Sequence, residues 1–181
     1  MKNVMLITPM LHQGGFERIC VMTARLLEAD YDVTIVVFSM EDIAYDISNL
    51  KVINLDLKSR PGRLAKGINV LRRSRKLTKL QKNLNTDVSY SFGMTANIAN
   101  ALTGGAKKKI CACHSFEEIK NGRYMKLIGK KADLLFCCAK KMTDLAVKQY
   151  GFSNIETLWN PCDTEEVREQ SRKGNKEELT F

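Results

Sequence analysis

Residues 3–38 read NVMLITPMLHQGGFERICVMTARLLEADYDVTIVVF. Two short apolar runs, 3–7 and 32–38, flank a stretch whose apolar residues recur every three to four positions. The runs are β-branched and apolar enough for strands, and the middle has the period of a helix over 15–29, with Ile19, Met22, Leu26 and Ala29 on one face. Strand, helix and strand of these lengths make a right-handed crossover unit with parallel strands. Between the first strand and the helix stands Gly14-Gly15.

The rest of the chain repeats this alternation. Strands are expected at 51–55, 87–91, 108–113, 133–137 and 155–159, with helices at 62–84, 94–102, 117–131 and 139–150. Near-continuous apolar strands require cover on both faces, as in parallel sheets. The expected fold class is therefore α/β: a Rossmann-like, doubly wound, mostly parallel sheet of about seven strands with helices on both faces. One detail is open. Leu64, Ile68 and Leu71 point nearly opposite to Leu77, Leu80 and Leu84, which suggests a bend or two helices near Arg72 to Lys76. Gly104-Gly105 is expected to cap the helix at 94–102, and Gly151 the one at 139–150. Residues 1–162 form the expected domain. Residues 163–181 turn polar and read as a linker, cut where a further domain's first strand would begin.

A chain of 181 residues suits one such domain. Its net charge of +9 favours anionic partners: nucleic acid, an acidic membrane face or a phosphorylated substrate. The first apolar run is too short for a signal-peptide core, and no stretch approaches a spanning helix, so a cytoplasmic protein is expected. Six cysteines without secretory context read as reduced thiols. Ten basic residues and no acidic one lie between Lys58 and Lys82. They are either a solvated helix face or a patch drawn to the anionic inner face of a membrane. Nucleic acid is disfavoured, because no aromatic residue interrupts the run and no binding motif accompanies it.

A glycine-bearing loop that enters a helix presents unpaired N–H groups and the positive end of the helix dipole, and an anion can approach closely. The loop lacks GxGxxG and GxxxxGK[ST], which disfavours nicotinamide, flavin and Walker-type nucleotide sites. Two alternatives stand: anion binding, or a tight turn that needs positive φ.

The ordered set of motifs resembles the N-terminal domain of GT-B fold, retaining glycosyltransferases, the large family that includes sucrose synthases and bacterial polysaccharide enzymes. The residues are Pro9, Leu11, Gly14, Gly15, Glu17 and Arg18 as P-x-L-x-x-G-G-x-E-R, then ARLLEADYDVTIV, TDVSYSF (86–92), His114 after the fifth strand, KKADLLFCCAKKMTDLAVKQYG and NIETLWNPCD. Cys138 stands where the family usually has serine, and Thr86 where proline is common.

The resemblance implies transfer of a sugar from a UDP- or GDP-linked donor to a saccharide or lipid-linked acceptor in surface polysaccharide synthesis, with neither cofactor nor metal. It implies that Gly14 and Gly15 approach the donor's diphosphate and that His114 faces the reacting sugar. Glu17, Ser91, Phe92, Asn97 and Ser115 become further substrate-binding candidates, and the nucleotide pocket belongs to a second domain, without which the fragment transfers no sugar. The alternative is a non-catalytic Rossmann-like module that binds an anion or nucleotide. Zinc at Cys111, Cys113, His114, Cys137 and Cys138 is disfavoured, because the spacing is not C-x2-C and cysteine is a common buried strand residue.

Overall fold

A computed structural model describes residues 1–58, 62–162 and 164–173. The elements run β1 (Lys2–Thr8), α1 (Gly15–Leu27), β2 (Tyr31–Val37), β3 (Lys51–Asn54), α2 (Arg63–Asn83), β4 (Val88–Phe92) and α3 (Met94–Ala101). They continue with β5 (Lys108–Cys113), α4 (Phe116–Lys120), α5 (Gly122–Lys131), β6 (Leu134–Cys137), α6 (Lys140–Tyr150), β7 (Ile155–Thr157) and α7 (Thr164–Lys173).

The seven strands form one sheet in the order β3-β2-β1-β4-β5-β6-β7, and every pair is parallel. The expected Rossmann-like architecture is what the chain adopts. β1 is central, and Val4 to Thr8 are all buried, because helices cover both faces. Alternate residues serve the two sides: Val4 and Leu6 pack with Cys20, Val21 and Ala24 of α1, whereas Met5 and Ile7 pack with Leu77 of α2 and Ala96 and Ala99 of α3. A third cluster, around Met125, Ile128 and Leu135, fills the β5–β6 end.

The helices depart from expectation in four places. α1 turns a different face inward: Cys20, Val21 and Ala24 are buried and Leu26 is 65% exposed. Small Cys20 and Ala24 let the helix sit close to the sheet, and Leu26 would hold it off. α2 is one unbroken helix. Its Leu77, Leu80 and Leu84 belong to the core, while Ile68 and Leu71 face solvent, so the two apolar faces need no bend. Gly104 and Gly105 do not cap α3 through a left-handed residue; Leu102 ends it in a right-handed conformation. Gly105 instead lets α2 approach, because a Cβ there would lie 2.5 Å from the Thr78 carbonyl oxygen. The helix expected over 117–131 is split at Asn121, whose side chain accepts from the Tyr124 N–H and starts α5. Gly151 closes α6 at φ +68 as expected. Within the segment expected as a linker, residues 164–173 are helical; residues 163 and 174–181 lie outside the described residues.

Candidate functional site

β1 and β4 are neighbours whose following helices pack on opposite faces of the sheet, and a crevice opens between them at the strands' carboxyl ends. This cleft has a volume of about 590 Å³ and brings together Gly15, Phe16 and Arg18 of α1, Gly93 and Met94 at the start of α3, and His114, Ser115 and Glu118 beyond β5. Gly15, His114 and Ser115, all expected from sequence, therefore share one wall-to-wall space. The N-termini of α1 and α3 both open beside it, and neither has a side-chain cap. Their positive ends favour an anion there.

The glycine loop is not a positive-φ turn. Gly14 is extended, at φ −171 and ψ 161, and Gly15 is not among the described glycines with positive φ. Gly14 leaves room for Glu17, since a Cβ would fall 2.2 Å from a Glu17 carboxylate oxygen and that side chain would have to shift. At Gly15 a Cβ would meet nothing within 4 Å; its backbone is exposed to the cleft.

The Gly14 amide, expected to face a ligand, is instead occupied. The Tyr45 hydroxyl accepts from the Gly14 N–H at 2.9 Å and donates to the Gly14 carbonyl. Ala44 N–H also bonds the Leu11 carbonyl at 2.9 Å, so the segment after β2 straps the loop in place. Tyr45 escapes sequence reasoning, because only the fold carries it 31 residues back to Gly14.

Glu17 is buried and does not line the cleft. One carboxylate oxygen lies 3.4 Å from His12 Nδ1, and the other has no hydrogen-bond partner among the described residues. Burial raises its pKa, opposed by its own backbone N–H and by His12. In the third helical position it stabilises the α1 terminus electrostatically.

His114 lies at the end of β5, its ring stacked on Phe92 at 5.9 Å and tilted against Phe16 at 6.4 Å. Desolvation drives its pKa down to about 4, so the imidazole is neutral near pH 7. Its Nε2 is buried without a hydrogen-bond partner among the described residues. Glu118 shapes this corner: one oxygen accepts from the His114 N–H at 2.6 Å and the Ser115 N–H at 3.1 Å. Ser115 reciprocates in a capping box that starts α4. Burial raises the Glu118 pKa against those bonds. Tyr124 donates to the other Glu118 oxygen at 3.2 Å and accepts from Asn97 at 2.7 Å.

Ser91, Phe92 and Asn97, expected on the acceptor side, are buried and line no part of the cleft. Ser91 donates to Asn97 at 2.7 Å, and Asn97 donates to the Ala112 carbonyl at 2.7 Å. The three support the site from beneath: Phe92 carries the His114 ring, and Asn97 passes a hydrogen-bond chain through Tyr124 to Glu118. Gly93 was not expected as a site residue. Its φ of +82 favours glycine, and a Cβ there would also press on the Phe16 ring at 3.1 Å. A glycine directly after a strand was the available signal.

A second groove, of about 900 Å³, runs along the other side of α1, lined by Gly14, Tyr45, Arg25 and Asp46 and meeting the cleft at Gly15 and Arg18. Among the described residues no group of three or more His, Cys, Asp and Glu could hold a metal ion. Burial pushes the Cys111 thiol up to about 12, which disfavours a thiolate.

The family model for Glycosyltransferase Family 4 matches residues 13–166. Comparison with curated proteins yields no match. Among solved structures the chain is similar to Anabaena HepE in complex with UDP-glucose, at 13% identity and a TM-score of 0.65, covering 97% of this chain and 51% of that one. It is similar to a sucrose-phosphate synthase chain from Thermosynechococcus elongatus, at 12% identity and TM-score 0.61 over 95% of this chain and 96% of that one. It is also similar to the lipopolysaccharide outer core galactosyltransferase WaaB, at 12% identity and TM-score 0.61 over 90% and 46%. The chain spans about half the length of the first solved structures it matches. The cleft at the β1–β4 switch point thus lies in a chain that belongs to glycosyltransferase family 4 and has the fold of an N-terminal GT-B domain.

Proposed function

We propose that this domain forms the acceptor side of a retaining enzyme that moves a sugar from a nucleotide-sugar donor to a saccharide or lipid-linked acceptor in surface polysaccharide synthesis. The observation that carries the proposal is the juxtaposition, across one cleft, of the exposed Gly15 backbone and a half-buried, neutral His114. In such a transfer the bond between the anomeric carbon and the diphosphate oxygen breaks, a bond from the acceptor's hydroxyl oxygen forms with the same configuration, and the hydroxyl proton leaves with the departing diphosphate. The departing diphosphate gains negative charge. Gly15 and the α1 terminus stabilise that charge from fixed positions, which costs no reorganisation during reaction. His114 hydrogen-bonds the reacting sugar or the acceptor without adding a charge of its own.

The nucleotide and sugar pockets belong to a second domain, and the donor carries UDP or GDP; HepE, with UDP-glucose bound, supports that class. WaaB supports a saccharide acceptor. Neither a cofactor nor a metal is required, and the enzyme works at the inner face of the membrane. The test is sugar transfer by the full enzyme with His114→Ala. Turnover should fall at least a hundredfold, the scale of a lost positioned polar group, while the thermal midpoint stays within a few degrees. Unchanged turnover would remove His114 from the mechanism.

A further inference from the structure

α2 carries two apolar faces, and the fold uses only one. The inner face, with Leu77, Leu80, Ser74 and Gln81, packs on the sheet and on α3. The outer face holds Ile68 and Leu71, 54% and 51% exposed, followed by Arg72, Arg75, Lys79 and Lys82, all exposed. At about 100° per residue these six side chains fall within roughly one third of the helix circumference. They form one stripe.

The basic run divides sharply in role. Arg73 is buried, donates to the Leu57 carbonyl and lies 4.3 Å over the Phe38 ring. Lys76 donates to the Leu55 carbonyl at 2.9 Å, and Lys58 pairs with Glu41. Arg73 and Lys76 fasten α2 to the segments that follow β2 and β3, and the Lys58–Glu41 pair ties those two segments to each other. Arg72, Arg75, Lys79 and Lys82 have no ion pair among the described residues. Four uncompensated cations repel one another on a single stripe, and two large aliphatic side chains stand in water at its end. Neither feature serves the fold.

α2 leaves the carboxyl edge of the sheet after β3 and runs back along it. Ile68 and Leu71 therefore stand toward the cleft end of the molecule, with the cations trailing away.

We propose that this stripe docks on a bilayer that contains anionic lipids: Ile68 and Leu71 enter the headgroup–acyl boundary, and the four cations lie on the charged surface. Charge complementarity selects an anionic partner, and the protruding aliphatic pair selects a lipid surface over nucleic acid, which offers no apolar layer to receive it. The contact is peripheral, since among the described residues no helix is long and apolar enough to cross a membrane. The docking goes beyond the sugar-transfer proposal and does not depend on it. If both hold, the lipid surface lies beside the cleft, within reach of a lipid-borne acceptor.

The test is co-sedimentation of the chain with vesicles of phosphatidylcholine, with and without phosphatidylglycerol. Binding should require the anionic lipid and weaken with salt. Each surface cation contributes about fivefold, so Arg72→Gln/Arg75→Gln/Lys79→Gln should lose roughly a hundredfold. The charge-matched Lys126→Gln/Lys130→Gln/Lys131→Gln, on α5, should stay within a few fold. Ile68→Ser/Leu71→Ser should weaken binding by roughly tenfold or more at unchanged charge. No vesicle binding would overturn the proposal. So would equal losses from both charge triplets, or binding indifferent to the aliphatic pair. Tighter binding to mixed-sequence oligonucleotides than to the anionic vesicles, at equal salt, would assign the stripe to nucleic acid instead. All substituted side chains are exposed, and circular dichroism confirms folding.

Discussion

Gly15→Val separates a ligand-facing glycine from a structural one. A Cβ at Gly15 would meet nothing within 4 Å, and the backbone there has no positive φ to strain. Valine therefore costs the fold little, within about 0.5 kcal/mol for an exposed site without special geometry. Its branched side chain would stand in the open space where the cleft meets the groove beside α1. An anion held by the Gly15 amide would lose a charge-assisted hydrogen bond, which contributes about 1.5–3 kcal/mol, or roughly ten- to a hundredfold in affinity. Gly14→Ala is the counterpart. There a Cβ would fall 2.2 Å from the Glu17 carboxylate, which is buried and must move, so stability should fall by about 1–2 kcal/mol. Thermal unfolding of both variants, together with donor KM in the full enzyme, gives the comparison. A wild-type donor KM for Gly15→Val at normal stability would refute anion binding at the loop.

Three further outcomes follow from the same geometry. The His114 pKa is lowered from 6.5 to about 4 in the fold, so its stabilising contribution is full above pH 6.5 and is lost as pH falls toward 4. The loss is about 3 kcal/mol at most. Glu17 and Glu118 have raised values and act in the opposite sense, so the His114 share is read as the difference between wild type and His114→Phe in denaturant titrations across that window; no difference would show the imidazole is not desolvated. Tyr124→Phe removes the link between Asn97 and Glu118. It should cost about 1–2 kcal/mol and lower kcat more than it raises KM, and an unchanged kcat would confine Tyr124 to the core. Tyr45→Phe keeps the ring but removes the hydroxyl that bonds both backbone groups of Gly14, leaving its carbonyl only the Arg18 N–H; donor KM should rise about tenfold with kcat nearly unchanged, and an unaltered KM would show that the loop holds itself.

Much of the fold is legible in the chain because it is encoded locally. The runs at 3–7, 108–113 and 133–137 are apolar on both sides, and only a parallel sheet with helices on each face buries such strands. Gly14-Gly15 between strand and helix marked the mouth of the cleft, and His114 at a strand end marked its opposite wall. A composition with ten cations and no acid between Lys58 and Lys82 marked the outer stripe of α2.

What remained hidden depends on contacts between distant segments. On α1, hydrophobicity ranks Leu26 above Ala24, whereas close packing on a sheet selects the smaller residue. Ser91 and Asn97 looked like ligand-binding groups because polar residues near a strand end usually are; pairing with each other, with Ala112 and with Tyr124 satisfies them inside. Tyr45 reaches Gly14 only because β1 and β2 are neighbours in register. The chain by itself determined a parallel α/β sheet and the mouth of its cleft, since periodicity and glycine placement are local. Tertiary structure alone decided which polar groups face that cleft and which support it, because satisfying a buried polar atom requires a partner that sequence separation does not reveal.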